Sequence, residues 1–229
     1  MLIYEFNGLP GTGKTTLSDY LFERLKEKYK VGTRIDLHTD LYKNRNLRIK
    51  IAAILAPNLI KYNLLILKYS AQYGLTRERL KWAGRLILLH YLINSALKKK
   101  LYDILLIDEG IVQHLTSIPH SKIIKNNKVQ HKLFELFSQK YQNSIIINCN
   151  INRNINAHRL KKRNRLGSRF DMEKVESLIP LLEVKEMNLH IVREYLKSNK
   201  SIEIDMESNL SDNADEILKV NRLFGINHG

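Results

Sequence analysis

The chain has 229 residues, 44% of them apolar and 27% charged, a globular balance that excludes a disordered chain. Thirty-eight Lys and Arg against 23 Asp and Glu leave a formal charge of +15, which favours polyanionic partners: phosphorylated small molecules, nucleic acid or an anionic membrane surface. The single cysteine, Cys149, excludes an internal disulfide framework and a Cys-rich zinc module, and fits a reducing compartment.

Met1-Leu2-Ile3-Tyr4 runs into an acidic residue with no basic n-region or signal-length apolar stretch, so a cytoplasmic location is expected. Leu2–Phe6 is a short apolar run of strand length. Gly8-Leu9-Pro10-Gly11-Thr12-Gly13-Lys14-Thr15-Thr16 then fits G-x-x-x-x-G-K-[ST], the phosphate-loop pattern. It precedes an amphipathic helix over Thr15–Tyr29, with Leu17, Leu21, Leu25 and Tyr29 on one face. Glycines let backbone N–H groups approach phosphate oxygens, and the N-terminus of the following helix adds to the same positive field. Lys14 is expected on the β- and γ-phosphates of a nucleoside triphosphate, and the Thr15 hydroxyl on Mg²⁺.

Val31–Leu37 reads as the second strand. Asp36 near its end and Asp40 just beyond it are candidates for the substrate side. A largely helical insertion, Lys43–Leu101, follows, with predicted helices Leu47–Tyr73, broken near Pro57, and Arg77–Lys99. Its most apolar stretches, Ile51–Leu67 and Leu86–Leu97, fall short of the ~20 uninterrupted residues that cross a bilayer. No transmembrane segment is expected, while peripheral membrane contact and a homodimer stay open.

Ile104–Ile107 is an apolar strand that delivers Asp108 and Glu109 at its C-terminal end, where an open parallel sheet holds its ligands. Asp108 is placed to hold Mg²⁺ opposite Thr15. Glu109 is the first candidate for a base on the acceptor side and Asp40 the second. A helix over Val129–Tyr141 leads to the strand Ser144–Asn148. Seven basic residues then fall between Arg153 and Arg169. Arg159 and Arg163, four apart, would share a helix face with an anion between them, and arginine supplies planar donor forks for a transferring phosphoryl group. Arg153 and Arg169 join the substrate side, and the stretch 151–170 is read as a lid. A helix over Asp171–Lys197 with a break near Pro180, a strand Ser201–Ile204 and a helix Asp212–Phe224 complete an alternating α/β chain. No linker divides it, so 1–229 is expected to be one domain. Basic residues are not interleaved with stacking aromatics, which argues against nucleic acid as the partner.

At this point the sequence resembles a known family. The phosphate loop, Asp108-Glu109 and the Arg159/Arg163 element fall at intervals similar to those of thymidylate kinase and its deoxynucleoside and nucleoside monophosphate kinase relatives. Ala157–Arg163 resembles that family's lid helix, and Ser168-Arg169-Phe170-Asp171 is close to its Asp-Arg-Phe-Glu signature. The resemblance implies a three-layer α/β/α P-loop sandwich with a five-stranded parallel sheet in the order 2-3-1-4-5. It also implies ATP and Mg²⁺ as cosubstrates and a lid that excludes water. The family follows its third strand with Asp-Arg, whereas this chain has Asp108-Glu109-Gly110. It follows the second with a pattern like Arg-Glu-Pro, whereas this chain has Asp36-Leu37-His38-Thr39-Asp40. Carboxylates on the acceptor side suit a hydroxyl nucleophile better than an anionic one, so a nucleoside, sugar or other small alcohol is expected as acceptor. The alternative class is a P-loop ATPase or GTPase that works as a nucleotide-driven switch, with Glu109 positioning water.

Overall fold

Strands buried on both faces need apolar residues at successive positions, which the chain supplies for its three central strands, while the two edge strands are partly exposed. In a computed structural model, which describes residues 1–41, 56–57, 59–119, 121–142, 144–162, 170, 175–196 and 200–223, together they form one sheet of five parallel strands. These are β1 (Leu2–Gly8), β2 (Val31–Thr33), β3 (Ile104–Ile107), β4 (Ser144–Asn150) and β5 (Lys200–Asp205), in the order β2-β3-β1-β4-β5. Each of the first four strands feeds a crossover, and the described helices are α1 (Lys14–Leu25), α2 (Arg34–Leu41), α3 (Ile60–Ala71), α4 (Arg77–Lys99), α5 (Ile111–Ser117), α6 (Lys128–Lys140), α7 (Arg153–Lys162), α8 (Val175–Tyr195) and α9 (Leu210–Leu223).

Alternation along the strands divides the core in two. Tyr4, Phe6, Ile104, Leu106, Ile145 and Ile147 face Leu17 and Leu21 of α1 and Ala214 and Ile217 of α9. Ile3, Leu105, Ile107 and Ile146 belong to the opposite cluster, with Leu86 of α4, Leu115 of α5, Phe134 of α6 and Leu182 of α8. The result is the expected α/β/α sandwich, and its order places β1 and β3 side by side in register, Glu5 against Ile107. The loops after these two strands therefore open on the same edge of the sheet.

Two elements differ from expectation for local reasons. The second strand stops at Thr33 instead of Leu37, because Thr33 and Asp36 form a capping box that starts α2. Asp36 Oδ2 accepts from the Thr33 N–H at 2.7 Å, and Thr33 Oγ1 accepts from the Asp36 N–H at 3.3 Å. Helix α8 runs through Pro180 instead of breaking there, with Leu178, Leu182, Leu189 and Val192 buried along it. In the insertion, Arg77–Lys99 is helical throughout, and the expected helix near Pro57 is described only from Ile60 onward.

Candidate active site

The loop Gly8–Gly13 joins the C-terminal end of β1 to α1, and its backbone bends in ways that exclude most side chains. Gly11 and Gly13 have φ of +84° and +98°, in the left-handed region open to glycine. A Cβ on Gly11 would lie 2.8 Å from Leu160 Cδ2 and 3.1 Å from Asn156 Oδ1, so α7 rests directly on the loop. Lys14 is buried, and its Nζ donates to the carbonyls of Gly8 at 3.1 Å and Leu9 at 2.7 Å and to Thr12 Oγ1 at 3.4 Å. Thr12 Oγ1 in turn donates to Leu9 O.

Across the β1–β3 boundary, Thr15 Oγ1 donates to Asp108 Oδ2 at 2.7 Å. The other Asp108 oxygen accepts from Arg34 Nε at 3.0 Å, and Arg34 Nη2 stands 3.8 Å from Glu109 Oε2. Burial alone would push the Asp108 carboxyl up. The Thr15 hydrogen bond and the Arg34 charge and hydrogen bond outweigh it and hold the group below the usual range. Asp108 is thus a committed anion. A hydroxyl beside an ionised carboxylate is the oxygen donor set that hard divalent cations accept, and Mg²⁺ in particular binds through one or two such groups together with nucleotide phosphates. Among the described residues no group of three or more His, Cys, Asp or Glu could hold a metal by itself. Thr15 and Asp108 supply two oxygen donors that fit such a cation when further ligands complete its shell.

Arg34 carried no signal as a site residue in the sequence, although it directly follows a strand at the ligand edge. Glu5 was missed as well. It is buried in β1 and its Oε1 accepts from the Val112 N–H at 2.6 Å, tying the start of α5 to the sheet. Burial raises its pKa to about 7, against the lowering effect of the Val112 and Ile111 backbone hydrogen bonds. Gly110 lies over it so closely that a Cβ there would stand 2.2 Å from Glu5 Cδ. That contact sets the turn which carries Asp108 and Glu109 past the phosphate loop.

The remaining expected residues divide. Arg159, on α7, donates through Nη1 and Nη2 to Met206 O at 3.2 and 3.3 Å, beside the loop after β5. Asp36 is held in the capping box, and Asp40 Oδ2 accepts from the Tyr102 hydroxyl at 2.6 Å. Tyr102 precedes β3, so Asp40 is held toward the opposite end of that strand from Asp108. Arg153 donates to Glu183 at 2.6 Å and Glu186 at 2.7 Å on α8. Arg163 and Arg169 lie outside the described residues.

The flank beyond α5 is basic. His114, on α5, is buried with its ring centroid 5.6 Å from that of Trp82, and Arg85 lies over the Trp82 ring at 4.8 Å. Burial first, then the charges of Arg34, Arg85, Lys185 and His38, depress His114 to about 3 and keep it neutral. A separate crevice of about 510 Å³ runs between β4 and α8, lined by Cys149, Asn150, His190 and Arg193 among others. It touches the phosphate loop only at Gly8 and Leu9, away from Thr15 and Asp108.

Loop, strand order and sandwich together define a P-loop kinase fold. Among solved structures, the YorR protein of Bacillus subtilis, determined in complex with phosphorylated GDP, shares it at a TM-score of 0.56 and 13% identity, with 100% of each chain covered. A deoxyadenosine kinase from M. mycoides with bound dATP matches at 0.50 and 15% identity over 97% of this chain and 98% of that one. A shikimate kinase from Bacteroides thetaiotaomicron matches at 0.50 and 10% identity, over 98% and 99%. No protein-family model and no curated protein sequence matches the chain.

Proposed function

We propose that the protein is an ATP- and Mg²⁺-dependent kinase that transfers a phosphoryl group to the hydroxyl of a small molecule. The observation that carries this reading is the 2.7 Å contact between Thr15 Oγ1 and Asp108 Oδ2, with Lys14 and the loop peptides beside it. Bound magnesium would neutralise charge on the phosphates and hold them in line with the acceptor. Thr15 and Asp108 would hold that ion, and Lys14 would leave the Gly8 and Leu9 carbonyls for the phosphates. Arg159, with Arg163 four residues on, would face the charge that develops on the transferring group.

Glu109, half-buried and free of any described hydrogen bond closer than its 3.8 Å approach to Arg34, is the acceptor-side base of this reading. Asp40, the second candidate, accepts from the Tyr102 hydroxyl. The solved structures of a deoxyadenosine kinase and a shikimate kinase with the same fold support a small polar acceptor. The positive charges of Arg34, Arg85 and Lys185 around His114 would suit an acceptor that carries an anionic group besides its hydroxyl. The test is a screen of nucleosides, sugars, hydroxy acids and nucleoside monophosphates for acceptor-dependent ADP formation from Mg-ATP. One acceptor class is expected to raise the rate well above background. A turnover indifferent to every acceptor would replace the kinase with a nucleotide-driven ATPase.

A further inference from the structure

Helix α7 packs on the phosphate loop through Asn156 and Leu160, both fully buried. Leu160 is what such a contact calls for. Asn156 is not: it has no exposed surface, and neither Nδ2 nor Oδ1 has a hydrogen-bond partner among the described residues. A buried amide left unpaired on both atoms is costly, and a leucine of similar volume would avoid the cost. Asn156 Oδ1 lies 3.1 Å from the position a Cβ would take on Gly11, so the orphaned amide stands against the loop that is to carry phosphate.

Lys14 supplies the complementary half. Its Nζ donates to the Gly8 and Leu9 carbonyls, and any phosphate drawing Lys14 away leaves those acceptors short of a donor. Asparagine offers both what the loop would then lack, an N–H donor, and an acceptor for loop N–H groups.

We propose that Asn156 is a positioning residue that couples the lid helix to the phosphate loop, its amide pairing with the loop peptides around Gly11 when a triphosphate draws Lys14 away from the Gly8 and Leu9 carbonyls. The inference rests on the kinase reading of the loop and adds a means by which nucleotide binding is felt by α7. Occupancy of the loop by triphosphate would satisfy a group that otherwise destabilises the closed contact, so lid and loop tighten together.

The experiment compares the wild-type chain with Asn156→Leu, and with Asn156→Ala should the leucine variant fail to fold. Thermal unfolding is measured without nucleotide, Mg-ATP affinity by calorimetry, and amide exchange over 153–162 with and without Mg-ATP. Asn156→Leu is expected to unfold at the same or a higher temperature without nucleotide. Its Mg-ATP affinity is expected to fall about tenfold, the order of one lost pair of amide hydrogen bonds. The slowing of exchange in α7 that Mg-ATP brings to the wild-type chain is expected to shrink in the variant. Unchanged Mg-ATP affinity together with unchanged protection of α7 would make Asn156 a packing residue and overturn the inference alone. A wild-type chain that binds no Mg-ATP would remove the phosphate-loop reading and the inference with it.

Discussion

Asp108 and Thr15 meet because two strands adjacent in the sheet end at the same edge, and against burial the Thr15 hydrogen bond and the Arg34 charge hold the carboxyl below its ordinary range. Replacing Asp108 by Asn keeps the shape and removes the anion. That variant is expected to bind nucleotide with little response to magnesium, measured as the ratio of affinities with Mg²⁺ and with EDTA. Glu5 makes a second prediction, on pH. Its folded pKa of about 7 lies above the ordinary 4.5, so the folded chain holds the proton longer than the unfolded one. The stability from Glu5 is therefore complete below about pH 4.5 and is lost as pH rises through 7. Glu5→Gln should remove that loss, so the melting temperature of the variant relative to wild type should climb between pH 5 and pH 8. A difference that stays flat over this range would contradict the assignment. At this scale the phosphate loop was legible because its chemistry lies in nine consecutive residues from Gly8 to Thr16. Arg34 and Glu5 were not, since each acts through a partner 74 or 107 residues away. The pairing of Asp36 with Thr33, three residues back, is local and follows a Thr-x-x-Asp capping pattern visible in the sequence.

Helices followed the sequence where one face is exposed, and the short helix buried on every side did not. Helix α4 occupies the range its pattern sets, with Thr76 as N-cap accepting from the Arg79 N–H. Helix α5 has no polar face, since every residue from Ile111 to Ser117 is buried, and so it left no helical periodicity to find. Lys185 of α8 anchors it, donating to Thr116 Oγ1 at 2.6 Å and Ser117 Oγ at 3.0 Å. Within α4, Gly84 is exposed and a Cβ there would meet nothing within 4 Å. Gly84→Ala is accordingly expected to stabilise the protein by about 1 kcal/mol, read as a rise in melting temperature of a few degrees. A fall would mean that the exposed face of α4 is covered in solution. Gly110→Ala should do the opposite and unfold the protein at lower temperature, because its Cβ would overlap the Glu5 carboxyl.

On the scale of the molecule, the formal charge of +15 favours association with anionic ligands. Association of Mg-nucleotide should therefore slow severalfold as ionic strength rises from about 0.01 to about 0.1 M, over which the screening length shrinks from about 30 to about 10 Å. Stopped-flow binding of a fluorescent nucleotide would register it, and a rate indifferent to salt would show that the surplus charge lies elsewhere. Among the described residues no helix is long and apolar enough to cross a membrane. The central claim is that Lys14, Thr15 and Asp108 act together on a magnesium-bound triphosphate, and calorimetric titration of Mg-ATP into the wild-type chain, Lys14→Ala and Asp108→Asn tests it most directly. Saturable one-to-one binding to the wild type, weakened on the order of a hundredfold in each variant, is the predicted result. Equal heats and equal affinity in all three proteins would contradict it.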